Sequence, residues 1–144
     1  MMSREEYASY VNDAIIKRLI FASVFLMLIA INTQWQSSIL GFFLGLIQTI
    51  LTTMICIVIP IAFNATKKAF ESDDLEKLNK TAAAFDKNPP MPEWWMYVNF
   101  TLDLAVTVAF FKAASPILAI MALANGVSSS IYGIKLRKLL AKHM

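Results

Sequence analysis

The chain has 144 residues, 58% of them hydrophobic and 16% charged, with a mean hydropathy of +0.58. An ordinary soluble domain is roughly 45–50% apolar and about 25% charged, and one domain of this length has too little interior to hide the excess; the surplus faces lipid, which excludes a water-soluble fold. The formal net charge is a modest +3, and one cysteine, Cys56, with one histidine, His143, excludes an internal disulfide framework and a Cys/His metal site.

The first 14 residues read as a polar tail. Between Arg18 and Lys67 lie 48 residues without Asp, Glu, Lys or Arg. As one helix they would run about 72 Å, more than twice a hydrocarbon core of about 30 Å, so this segment crosses the bilayer twice. The polar cluster Asn32-Thr33-Gln34-Trp35-Gln36-Ser37-Ser38 marks the turn, with Trp35 suited to the interface. The spans are placed at Ile15 to Thr33 and Ile39 to Phe63, giving a first transmembrane hairpin over 15–63. The first apolar stretch is short, and Lys17 and Arg18 are expected to snorkel toward the interface. A cleaved signal peptide is disfavoured because the apolar region starts late and a second long span follows at once. Pro60 is expected to kink the second span.

Residues 64–93 change character, with five Lys against six acids, and form an aqueous loop. Leu75, Leu78, Ala82 and Phe85 recur at helical spacing, which predicts an amphipathic helix over Ser72 to Phe85 with Ser72 as N-cap. It ends at Asn88-Pro89-Pro90-Met91-Pro92, where missing amide hydrogens and fixed φ angles stop a helix.

Trp94, Trp95 and Tyr97 open a third span as an aromatic belt, running to Phe111. Lys112 to Pro116 makes a tight turn, and the fourth span runs from Pro116 to Ile134, so residues 94–134 form a second hairpin. Residues 135–144 are a basic tail carrying Lys135, Arg137, Lys138 and Lys142, with His143 at a frayed end. The N-terminal tail, central loop and C-terminal tail hold 12 of the 13 Lys and Arg, which places both termini and the loop in the cytoplasm. The expected fold is all-α: a polytopic protein of a bacterial cytoplasmic (inner) membrane, four transmembrane helices in two hairpins, N-in/C-in, with a short amphipathic cytoplasmic helix.

Asp103 lies about 13 Å into the third span from Trp94. An ionised carboxylate facing lipid there costs at least about 2.5 kcal/mol, so it is neutral, paired, hydrated or turned to protein. Asn99 and Thr107, at i−4 and i+4, complete a polar stripe, and Lys112 is too far along the helix to be a close partner. The stripe reads either as a proton or cation site or as a hydrogen-bonded packing feature. Gly41 and Gly45 form a GxxxG continued by Gln48, Thr52 and Cys56, and Ala119, Ala122, Gly126, Ser129, Ser130 and Gly133, with Asn125 and Ser128 alongside, form a second small-residue stripe on the fourth span. Such stripes let a neighbouring backbone come close, inside the chain or in another subunit. The basic tail is read as positive-inside anchoring on anionic lipid rather than a nucleic-acid site, and the 64–93 loop as a docking element for a cytoplasmic partner.

No phosphate-binding glycine loop, Ser/His/Asp set or carboxylate pair in one membrane plane is present, so no enzyme and no cofactor are expected. The expected function is binding of other membrane proteins, with a small oligomeric transporter or ion pathway using Asp103 as the alternative. The layout resembles that of several groups of small four-span proteins: plasmid or phage immunity and exclusion proteins, accessory subunits of secretion or respiratory complexes, and small multidrug transporters. That likeness is one of spacing and carries no motif.

Overall fold

The computed structural model describes residues 2–35 and 38–143 and is all-α, 90% helical, with no strand among the described residues. Helix α1 spans Arg4–Trp35, α2 Ser38–Thr53 and α3 Ile59–Phe70, the last two joined without a break by a π-helical turn, Met54–Val58. After α4 (Leu75–Lys87) come α5 (Glu93–Lys112) and α6 (Pro116–His143). Among the described residues four continuous helices are long and apolar enough to cross a membrane: α1, the Ser38–Phe70 rod, α5 and α6.

Local chemistry explains the helix ends. Ser3 and Glu6 form a capping box: the Ser3 amide donates to the Glu6 carboxylate at 2.6 Å and the Glu6 amide to Ser3 Oγ at 3.2 Å. Helix α1 therefore starts at Arg4, and residues 4–14 of the expected tail are its first turns. The amphipathic helix begins later than predicted, because Asp74 and not Ser72 is its N-cap, accepting from the amides of Glu76 and Lys77. A carboxylate accepts both amides and suits the positive end of the helix, while Ser72 Oγ accepts only from the Asp74 amide. Between α5 and α6 the amides of Ala114 and Ser115 bond back to the carbonyls of Phe111 and Phe110, with Ala114 at a φ of 56°. That is a Schellman stop with alanine in the position glycine usually takes. Of the turn predicted at 32–38, Asn32 to Trp35 remain helical and Gln36 and Ser37 lie outside the described residues.

Partner spacings give the relative directions of the helices. Tyr7 donates to the Pro90 carbonyl, Arg18 to Asn99 and Asp103, and Phe25 meets Phe110 edge-on, all at separations of 81 to 85 positions, so α1 runs parallel to α5. Ser128 reaches Ile55, Phe63 meets Tyr132, and Phe70 stacks on His143, so the Ser38–Phe70 rod runs parallel to α6. Helix α1 packs on α2 and α5, and α6 packs on α2 and α5; among the described residues no Cα pair across either diagonal lies within 8 Å. A buried core at the connecting end joins Phe25 and Ile29 of α1, Leu44 of α2, Val106 and Phe110 of α5, and Ala119 and Ala122 of α6. A second cluster, Phe70, Leu139 and Leu140, closes the end that holds the termini. It keeps α6 helical through the basic segment, so His143 lies on Phe70, ring centroids 5.3 Å apart, and not at a frayed end.

Pro60 acts through the π turn. A proline offers no amide and its ring crowds the carbonyl four residues earlier, at Cys56. One extra residue widens the turn upstream, and the Ile59 amide bonds to the Met54 carbonyl instead of that of Ile55. The Ile55 carbonyl released by this shift accepts from Ser128 Oγ at 3.2 Å. A local defect in one helix thus becomes a hydrogen bond between two.

Candidate functional site

Asp103 faces protein. Its Oδ1 accepts from Arg18 Nη2 at 2.9 Å, and Arg18 Nε donates to Asn99 Oδ1 at 2.8 Å. Both charged side chains are largely covered, Arg18 at 24% and Asp103 at 14% exposure. Two ions in a low-dielectric interior are tolerable only when paired and further hydrogen-bonded, and Asn99 supplies the added bond. Asn99 also donates from Nδ2 to Ser129 Oγ at 3.5 Å, extending the network to α6.

The partner of Asp103 is therefore Arg18, which the sequence reading treated as a snorkelling anchor. Lys17, its neighbour, does take a surface role, pairing with Asp13 at 2.6 Å while both stay exposed. The signal for Arg18 was its depth: it lies 14 positions into α1 and Asp103 lies 10 into α5, and the two helices run side by side. Thr107 stays out of the ionic network. Its hydroxyl donates to the backbone carbonyl of Asp103 at 2.8 Å, within its own helix.

Arg18, Asn99 and Asp103 form one wall of a cavity of about 300 Å³ at the centre of the bundle. Gln48 of α2 and Asn125 of α6 bring two amides to it, 1% and 4% exposed. Gln48 Nε2 donates to Thr52 Oγ1 at 3.3 Å, and Asn125 Oδ1 lies 3.9 Å from the Cys56 thiol. The remaining lining is apolar, from Phe21 and Phe25 of α1, Leu51 of α2, Ile55 of the π turn and Val106 of α5. The cavity sits where the diagonals fail to meet, so all four apolar helices contribute to it.

The two small-residue stripes have different fates. On α6, Ala122 is buried, and a methyl added at Gly126 would come within 3.0 Å of Asp103 Cβ and 3.1 Å of the Phe100 ring. Ser130, half-buried, borders a shallow hollow with Met96 and Phe100. On α2, Gly41 lies against the Asn32 side chain, whereas the space around Gly45 is open. Of the basic residues, Lys135 lies 5.0 Å from the centre of the Tyr132 ring, Lys138 and Lys142 are exposed, and Arg137 buries Nη2 without a hydrogen-bond partner. Among the described residues no group of three or more His, Cys, Asp or Glu is placed to hold a metal ion.

No protein-family model matches the chain, and no curated protein or solved structure matches it.

Proposed function

We propose that this protein is a non-enzymatic, multi-pass membrane protein that binds the transmembrane helix of another membrane protein, as an accessory subunit does, through the Gly45 face of α2. The observation that carries this reading is the open space at Gly45, in a GxxxG whose other member, Gly41, is covered by Asn32. The face continues as Thr49 and Thr53, both exposed, and their hydroxyls donate to the carbonyls of Gly45 and Thr49. With the polar atoms satisfied and no side chain at Gly45, a neighbouring helix can come close at little desolvation cost. The Ser38–Phe70 rod suits that role because it is the least covered span: 11% of its most apolar window is buried, against 22% for α5 and α6.

In the orientation that goes with this reading, two hairpins place both termini and the Lys-rich connection in the cytoplasm of a bacterial-type inner membrane, following the positive-inside rule. Lys67, Lys68 and the basic end of α6 share the end of the bundle held by Phe70 and His143, and that end offers the 64–93 connection to a cytoplasmic partner. The pairing of Asp103 with Arg18 weighs against the ion-pathway alternative, which needs a carboxylate free to exchange partners.

The test is crosslinking. A single photoreactive residue in place of Thr49, in the native membrane, is expected to give a defined adduct with another membrane protein or a second copy, and Gly45→Leu is expected to remove it while the protein still inserts. Labelling of lipid alone, or an adduct indifferent to Gly45→Leu, would defeat the proposal.

A further inference from the structure

The central cavity has the makings of a ligand site, and the inference drawn from it rests on the cavity alone, independent of the partner-binding reading. Its volume of about 300 Å³ is at the small end of ligand pockets, which run roughly 300–1,000 Å³. Mostly apolar walls with a few convergent polar groups are the usual composition of such pockets. Here the polar groups are Arg18, Asp103 and Asn99 on one side and Gln48 and Asn125 on the other.

The cavity also has a way in. Helix α1 meets α2 where Asn32 lies on Gly41, but among the described residues no Cα of α1 comes within 8 Å of the π turn or of α3. The two helices splay apart away from their connection, and the cavity lining that they contribute includes Phe21 of α1 with Leu51 and Ile55 of the facing rod. Phe21 is 42% exposed there, on a surface that lipid covers in a membrane protein. Entry is therefore lateral, from the bilayer, and selects a molecule that dissolves in it.

Charge sets the ligand's chemistry. Arg18 and Asp103 already compensate each other at 2.9 Å. An anion or cation brought in beside them would leave a net charge in a medium that solvates it poorly. A neutral molecule leaves the balance intact. Of the five N–H donors on a guanidinium, Arg18 gives one to Asn99 and one to Asp103, and the amides of Gln48 and Asn125 each carry both donors and acceptors. A hydroxyl, phenol or carboxamide that both donates and accepts can be met by this set.

We propose that the cavity binds a small uncharged amphiphile that enters from the bilayer between α1 and α2. Its apolar body lies on Phe21, Phe25 and Val106, and its hydroxyl- or amide-type head group lies on the Arg18–Asp103 pair and the Gln48 and Asn125 amides.

The experiment uses the full chain in phosphatidylcholine nanodiscs with three probes of one skeleton: phenethyl alcohol, phenethylamine and phenylacetate. Binding is read by ligand-observed NMR against empty discs. Phenethyl alcohol is expected to bind saturably above its partition into empty discs, and the two charged probes about tenfold or more weaker. Leu51→Trp, at the gap, is expected to weaken phenethyl alcohol by a similar factor, and Ala122→Leu, inside the cavity, serves as the second variant should the first fail to fold by circular dichroism. Partition of phenethyl alcohol equal to that into empty discs would mean a hydrated cavity and overturn the proposal, as would tighter binding of a charged probe or binding unmoved in a folded variant.

Discussion

The two antiparallel helix pairs are held together differently. Helices α5 and α6 touch along the whole of α5: Met96 sits on Gly133, Asn99 on Ser129, Phe100 and Asp103 on Gly126, and the Ala113–Ser115 turn closes the end. Helices α1 and α2 meet near their connection, around Asn32 and Gly41, and separate below it. Where glycines lie under a facing side chain the backbones close up; where the glycine faces outward, as Gly45 does, they do not. The loosely held α1 is kept in place instead by its parallel neighbour α5, through the Arg18–Asp103–Asn99 network and the Phe25–Phe110 contact.

That division predicts the largest effect at the ion pair. Arg18→Leu leaves a buried carboxylate without its cation, and Asp103→Leu leaves a buried guanidinium without its anion. Each is expected to lower unfolding free energy by about 3–5 kcal/mol, with the Arg18→Leu/Asp103→Leu double variant recovering most of the loss. Reversible unfolding in mixed micelles measures all three. Additive losses in the double variant would show that α1 is held by packing and not by the pair.

A smaller effect separates the glycines. Gly126→Val adds a Cβ and two methyls where a Cβ alone would meet Asp103 and Phe100 at 3.0 and 3.1 Å, and overpacking of that kind costs about 1–3 kcal/mol. Gly45→Leu enters open space and is expected to change stability by no more than about 0.5 kcal/mol, although it should abolish the crosslink at Thr49. Equal destabilisation by the two would erase the distinction between a closed seam and an open one.

Much of this architecture was legible in the sequence because hydrophobic length is a direct requirement of the bilayer. The charge-free run from Arg18 to Lys67 called for two helices long enough to cross, and α1 and the Ser38–Phe70 rod have that length and apolarity; the Pro-rich 88–92 segment demanded a stop. The stripe on the fourth span announced its small residues, though not which stripe would be used within the chain. Helix ends were harder. The rod runs to Phe70, seven residues past the expected Phe63, because leaving the apolar slab does not end a helix, and only the Glu71–Asp74 segment does. Asp103 stood out as an expensive residue needing a partner, but the partner is 85 positions away, and finding it requires knowing that α1 lies beside α5 and in parallel. Gln48 and Asn125 read as parts of stripes, and only packing showed that they face a common space.

The smallest effect tests the link between the two pairs. If Pro60 forces the π turn, the Ile55 carbonyl is free because of it, and Ser128 serves a need the proline creates. Ser128→Ala then strands a carbonyl between helices and is expected to cost about 1 kcal/mol. In a Pro60→Ala background the helix can return to regular α geometry, the Ile59 amide can bond to the Ile55 carbonyl, and the same serine substitution should cost almost nothing. The two changes should therefore couple by about 0.5 kcal/mol or more in a double-mutant cycle. Independent effects would mean that the π turn is imposed by packing against α6, with the hydroxyl a consequence of the contact and not of the proline.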